Sequence, residues 1–219
     1  MASVANLDRL IRERHLLKHP FYQAWARGEV RRTTLANYAG QYYRFESNFP
    51  RYVAGTYAHL VEPSTRRTLL ENLVDEEGRS PTHPELWVDF GRSLGLTARA
   101  VRSAAPSPAT RALLKTYERC TLRGSAAAGL GALYAYESIF PEIAREKSRG
   151  LREHYGIRAA EAHEFFRVHS TADREHSAAE RRILARETSR SASAARQAEA
   201  ATRASIGAWW GFLDSFAAG

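Results

Sequence analysis

His169, Asp173 and His176 fall at i, i+4 and i+7, so on a helix all three side chains leave from one narrow face. Two imidazoles and a carboxylate so placed form half a site for a first-row divalent metal. The same stripe also reads as polar helix surface, and its spacing alone does not decide. Glu137 stands in the apolar stretch 130–140, where an ionised carboxylate is costly unless it is paired or coordinated; an arginine partner is the competing explanation. Glu76 and His83 lie seven apart across Gly78 and Pro81, a loop acid and a helix-start histidine, each common alone. Together these three carboxylates and three histidines suit two iron or manganese ions. Carboxylates can bridge metals, and imidazoles leave positions open for oxygen. Paired Glu-x-x-His motifs are missing, and the single cysteine, Cys120, argues against structural zinc.

The elements that must position these residues are helical. Thr33 to Leu60 reads as one long aromatic-rich helix carrying Tyr38, Tyr42, Tyr43, Phe45 and Phe49, kinked at Pro50. Ser64, Thr97 and Ser107 are expected N-caps, the last with proline following at the first helical position. The stretch 125–147 is apolar on most faces and predicts a central buried helix; 159–186 and 194–216 predict two more. No segment alternates with period two. The expectation is an all-α, single-domain bundle of seven or eight helices over 1–219.

At 219 residues the chain suits one domain with a sizeable core. Its formal charge of +8 raises nucleic acid as a partner, but the arginines alternate with acids, as in Arg12-Glu13-Arg14, a pattern of solvated helix faces. No helix-turn-helix, zinc finger or aromatic-laced basic stripe is present, so no nucleic-acid partner is expected. No run is long enough for a membrane span, and one cysteine gives no support to secretion; a cytoplasmic protein is expected, with a homodimer as its assembly. Only three of the 32 basic residues are lysine: Lys18, Lys115 and Lys147. Where arginine fills most cationic positions, a remaining lysine marks a place that needs an amine.

The ligand set, with His19-Pro20-Phe21-Tyr22, Asp75-Glu76-Glu77, Glu85-Leu86-Trp87, Arg145-Glu146-Lys147 and Gly211 to Phe216, resembles the haem-oxygenase-like dimetal oxidases. The likeness is greatest to the chlamydial protein associating with death domains and the self-sacrificing 4-aminobenzoate synthases. That resemblance implies a haem-oxygenase-like fold and two divalent ions, Fe/Fe or Fe/Mn, with molecular oxygen and a reductant as co-substrates. It further implies that the protein supplies its own substrate: the ring of Tyr22, with nitrogen from Lys147, and no external aromatic molecule. Read from their residues alone, Tyr22 also suits a packing aromatic beside Trp25, and Lys147 a helix-end cation. Other open readings are the same scaffold acting on a diffusible small molecule and an interaction protein without turnover. Glu46 is a further candidate ligand but is expected at the surface or behind the ligands, His163 in solvent, and Glu180 paired with an arginine. Phe165 stands where the resemblance places a tyrosine.

Overall fold

The computed structural model describes residues 4–217, the side chain of Ala172 excepted, and the regular elements among them are all helical. In order they are α1 (Val4–Glu13), α2 (Pro20–Ala26), α3 (Arg32–Glu46), α4 (Phe49–His59), α5 (Pro63–Glu77), α6 (His83–Ser93), α7 (Ala98–Ser103), α8 (Pro108–Tyr117), α9 (Ala126–Glu137), α10 (Phe140–His154), α11 (Ala160–Arg190) and α12 (Ala192–Ala217). The bundle is all-α as expected, but it is divided into twelve α-helical segments where periodicity suggests seven or eight.

Proline accounts for two of the extra breaks. The aromatic helix ends at Glu46, and Pro50 sits in the first turn of α4, where its missing N–H costs no hydrogen bond. Pro141 splits the 125–147 stretch in the same way, opening α10 after Ser138 and Ile139. Thr97 and Ser107 cap α7 and α8, accepting from the Ala100 and Thr110 amides. The cap of α5 is Glu62, which accepts from the Thr65 amide, with Pro63 following it; Ser64 lies inside the helix. The helix expected to run on from Ser107 closes in one π turn, Glu118–Leu122.

The core is aromatic. Trp25, Tyr38, Tyr42, Phe45, Trp87, Phe140 and Trp209 are all buried, each contributing about 150–250 Å² of buried surface. Tyr136 stacks on Trp209 with centroids 4.3 Å apart and planes 9° from parallel. Helix α9 is buried on nearly every side and lies directly on α12: a Cβ at Gly131 would stand 2.6 Å from the Ala198 carbonyl oxygen. Thr202 Oγ1 donates to the Gly131 carbonyl across that seam at 2.9 Å. The close approach carries Tyr136 and Glu137, at the end of α9, into the middle of the molecule. Among the described residues no helix is long and apolar enough to cross a membrane.

Candidate functional site

Five carboxylates and three histidines are buried together at the meeting of α3, α5, α6, α9 and α11. Glu46, Glu76, Glu137, Asp173, Glu180, His83, His169 and His176 are each 8% exposed or less. Their helices bring them in by simple spacing. Helix α11 presents His169, Asp173 and His176 from one face, as the sequence predicts, and Glu180 one turn later. Helix α3 presents Tyr38, Tyr42 and Glu46 at four-residue intervals. Glu76 lies in the last turn of α5, not in a loop. His83 is the first residue of α6, held there by a capping box in which Thr82 and Glu85 satisfy each other's backbone amides.

The ligand atoms fall into two groups, each within 4.8 Å: Glu46, Glu76, His83 and His169 in one, Glu76, Glu137 and His176 in the other. Glu76 belongs to both. Asp173 is outside these groups but lines the cavity between them, a space of about 10 Å³ bounded also by Tyr42, Glu46, Glu76, Tyr136, Glu137 and His169. That is room for an ion or one water.

The hydrogen bonds leave donor atoms aimed inward. His169 Nδ1 donates to the Phe165 carbonyl at 2.8 Å, so Nε2 carries the free lone pair; it faces Glu46 Oε1 at 3.9 Å. His176 Nε2 meets Asp75 Oδ2 at 3.1 Å, leaving Nδ1 without a partner. Asn72 donates to Glu137 Oε1 at 3.2 Å, leaving Oε2 bare. His83 Nδ1 and Glu76 Oε2 are 2.8 Å apart. Glu46 Oε1 and both oxygens of Glu180 also lack partners. Orphaned buried polar atoms of this kind cost about 1–3 kcal/mol each, and here they converge on one centre. A divalent cation at each group would satisfy the bare atoms of Glu46, Glu137 and His176, leaving Glu180 over, and the donor set of imidazole and carboxylate fits iron or manganese.

Protonation follows from that crowding. Burial, then the neighbouring Glu76 carboxylate, pushes Glu46 up to about 8. Burial and Glu137 raise Asp173 and Glu180 well above the carboxylate range, and burial raises Glu137 itself. Burial by itself would lower His83, but Glu76, with Glu46 and Asp75, outweighs it and raises the imidazole. Burial, then His83, lowers His169 well below its ordinary value.

A second cluster adjoins the first. Lys147 lies mid-way along α10, 1% exposed, far from the helix-end cation that its residue type allows. Its Nζ donates to Tyr38 Oη at 2.7 Å, and Tyr38 Oη is 3.0 Å from Tyr22 Oη. Six rings surround the amine, with Tyr22 and Tyr42 centroids at 4.9 Å. Burial holds Lys147 well below the usual lysine range. Tyr22 is placed by His19, whose Nδ1 caps α2 through the Phe21 amide while Nε2 donates to Asp214 at 3.0 Å. Trp25 Nε1 donates to the Lys147 carbonyl, pinning α2 to α10.

Three expectations are corrected. Glu46 is not at the surface: it is buried, with a carboxylate oxygen grouped with the donor atoms of Glu76, His83 and His169. Among the described residues Glu180 has no arginine partner; it lies against Glu137. His163 is buried, bonded to Ser148 Oγ and the Ile157 carbonyl. The arginine partner weighed for Glu137 does not occur among the described residues, where the ion pairs of this acid cluster are all to histidine. Tyr38, the link between Tyr22 and Lys147, is the functional position that sequence spacing did not single out, although the stripe Tyr38-Tyr42-Glu46 carried the signal.

Comparison with known proteins agrees with this geometry. The family of iron-containing redox enzymes matches residues 36–210. The chain is 37% identical to the 4-aminobenzoate synthase of Chlamydia trachomatis over 210 residues, 96% of this chain and 90% of that one. It is 39% identical to the 4-aminobenzoate synthase of Nitrosomonas europaea over 219 residues, 95% of this chain and 88% of the other. In fold it superposes on a CADD-like protein of unknown function from Nostoc punctiforme with a TM-score of 0.80 at 21% identity, covering 98% and 95% of the two chains. A TenA homologue from Pseudomonas syringae gives 0.81 at 16% identity, covering 96% and 89%. The chain therefore belongs to the haem-oxygenase-like family of iron-containing redox enzymes.

Proposed function

We propose that this protein is an oxygen-dependent dimetal oxygenase that makes 4-aminobenzoate, a folate precursor, from its own Tyr22 ring with nitrogen from Lys147. The observation that carries the reading is the buried pair itself: an amine 4.9 Å from the centre of a phenol ring, both tied to Tyr38. Glu76, His83, Glu137, His169, Asp173 and His176, joined by Glu46, would hold the ions, and Glu76 belongs to both groups of donor atoms. Two irons, or iron with manganese, supply the activation of molecular oxygen, with electrons from an external reductant.

The chain's own residues do the rest. Lys147, deprived of water, is favoured as the neutral amine, the form with a lone pair to give to carbon. An arginine there would keep charge but offer no such nucleophile. Tyr38 accepts from the amine and shares a hydrogen bond with the Tyr22 hydroxyl, fixing the distance between the two groups. Tyr42 and Tyr136, bonded to each other at 2.6 Å, close the wall between this pair and the acid cluster and exclude water. The central space of about 10 Å³ is far too small for an added aromatic ring, which favours a ring that the chain itself supplies. A cytoplasmic homodimer without nucleic-acid or membrane partners completes the reading.

A second reading, turnover of a diffusible small molecule, is favoured by one feature: a surface cavity of about 460 Å³ that reaches His83 and is lined by Asp75, Pro81, Leu86 and Val168, within the size range of ligand sites. One experiment separates them. Metal-loaded protein is exposed to reductant and oxygen and then analysed by intact-mass and peptide mass spectrometry. Self-consumption gives mass loss at Tyr22 and Lys147 and at most one product per chain. Many turnovers on an added compound, with both residues intact, overturns it.

A further inference from the structure

One buried acid is left over by the proposed ligand set. Glu180 is 1% exposed, and neither of its oxygens has a hydrogen-bond partner. It also forms part of the floor of a cavity of about 120 Å³ between α5 and α11. The other buried floor residues are Leu69, Asn72 and His176, with Thr68 and Ala179 on the wall; the rim carries Glu71 and Glu175, both exposed, and Asp75 stands between rim and floor, half-exposed and bonded to His176 Nε2. The cavity therefore presents oxygen donors in steps from solvent down to the Glu76, Glu137 and His176 group. The central space beyond it holds nothing larger than an ion.

We infer that this cavity is the entry route for divalent cations, and that Glu180 is the transfer ligand that takes each ion from the rim and hands it to Glu137 and His176. The inference rests on the metal-binding reading above. A hydrated cation gives up its waters stepwise, and each lost water needs a replacement oxygen before the ion reaches the dry interior. Glu71 and Glu175 attract the ion at the rim. Asp75 can leave His176 for the ion and so free the imidazole. Glu180, without a competing donor, holds the ion one helical turn from its final site. This role explains why a carboxylate with no partner is retained in a place where glutamine or leucine would be less costly.

The test is metal uptake, not turnover. Metal-free protein is mixed with Co(II) in a stopped-flow instrument, uptake is followed by the cobalt absorption bands, and the final stoichiometry is measured. Glu180→Gln is expected to bind two ions at equilibrium, as the parent does, with the slower phase reduced at least tenfold. Asp75→Asn is expected to slow the same phase, and Glu180→Asp to recover part of the rate. Glu71→Gln with Glu175→Gln is expected to weaken the dependence of that phase on salt, while Glu199→Gln on α12 changes nothing. Circular dichroism verifies that each variant is folded. An unchanged rate in Glu180→Gln overturns the entry route. Loss of an ion at equilibrium in that variant overturns the transfer role and makes Glu180 a resident ligand. A parent protein that binds no cobalt overturns the metal reading itself.

Discussion

Replacing Lys147 with methionine is expected to stabilise the metal-free fold while removing the nitrogen source. The amine is 1% exposed and makes one hydrogen bond, to Tyr38. Methionine fills nearly the same volume without a polar group, so the change removes the cost of burying an amine whose bonding capacity is only partly used, about 1–3 kcal/mol. Tyr38 keeps its bond to Tyr22, so no group is orphaned. For a chain of this size about 1 kcal/mol moves Tm by roughly 2–4 °C, giving a rise of roughly 2–12 °C by calorimetry on chelator-treated protein. The pH dependence is a second check. Burial depresses the native pKa of Lys147 below the ordinary 10.5, so above the native pKa and below 10.5 the unfolded chain binds a proton that the native chain lacks. Parent stability therefore climbs with pH across that window, and the advantage of the variant shrinks as pH approaches 10.5. A loss of about 3–5 kcal/mol instead, the signature of breaking a buried ion pair, would refute the reasoning and make Lys147 an ammonium held by Glu46.

Glu76→Ala is expected to lose both ions, because Glu76 belongs to both groups of donors, whereas Glu137→Ala retains about one; elemental analysis of purified protein distinguishes them. The metal-free protein is expected to grow more stable as pH falls from about 8 toward the ordinary glutamate value of 4.5. Glu46, Glu137, Asp173 and Glu180 are all raised by burial, so the native chain holds protons that the unfolded chain has released, and these four acids outweigh the opposite slopes of Lys147 and, below 6.5, of His169, His15, His19 and His163, which burial lowers. Denaturant titrations at pH 5.5 and 8 measure this, and a higher stability at pH 8 would contradict it. Tyr22→Phe is expected to keep both ions and lose no more than about 1.5 kcal/mol, yet form no 4-aminobenzoate by liquid chromatography; product at the parental level would remove Tyr22 from the chemistry.

What the sequence could disclose was set by how local each signal is. The His169, Asp173 and His176 stripe is a property of one helix, and α11 presents it as written. Glu137 was marked by its apolar neighbours along α9, and Lys147 by the rarity of lysine. Glu46, Glu180 and His163 went the other way for one shared reason. Each lies on a helix face that looks amphipathic in isolation, and each is buried only because other helices cover that face: α5 and α6 come over Glu46, and Ile157 folds back on His163. Burial of a single polar residue is settled by packing between segments distant in sequence, which periodicity does not carry. Helix number failed similarly. A proline signals a break, but whether it bends a helix or opens a new one is not written locally: Asn48 and Ile139, which precede α4 and α10, make no side-chain cap.

The arrangement also bears on why a protein would spend its own residues. An added aromatic substrate must be held against the loss of its translational and rotational freedom, a cost of about 4–15 kcal/mol on association. Tyr22 has already met that cost in folding, and its ring is held beside the amine by Tyr38 without any binding step. The central cavity can then shrink to the size of an ion, which keeps water from the acid cluster and strengthens each electrostatic contact within it. On the proposed reading, the same economy would limit the chain to one event. Removing the buried Tyr22 ring leaves a void bounded by Phe21, Tyr38 and Lys147, and losses of this kind cost about 3–5 kcal/mol. A spent chain has neither the ring nor the packing that positioned it, so refilling the site with a free phenol would mean meeting the association cost that the fold was built to avoid.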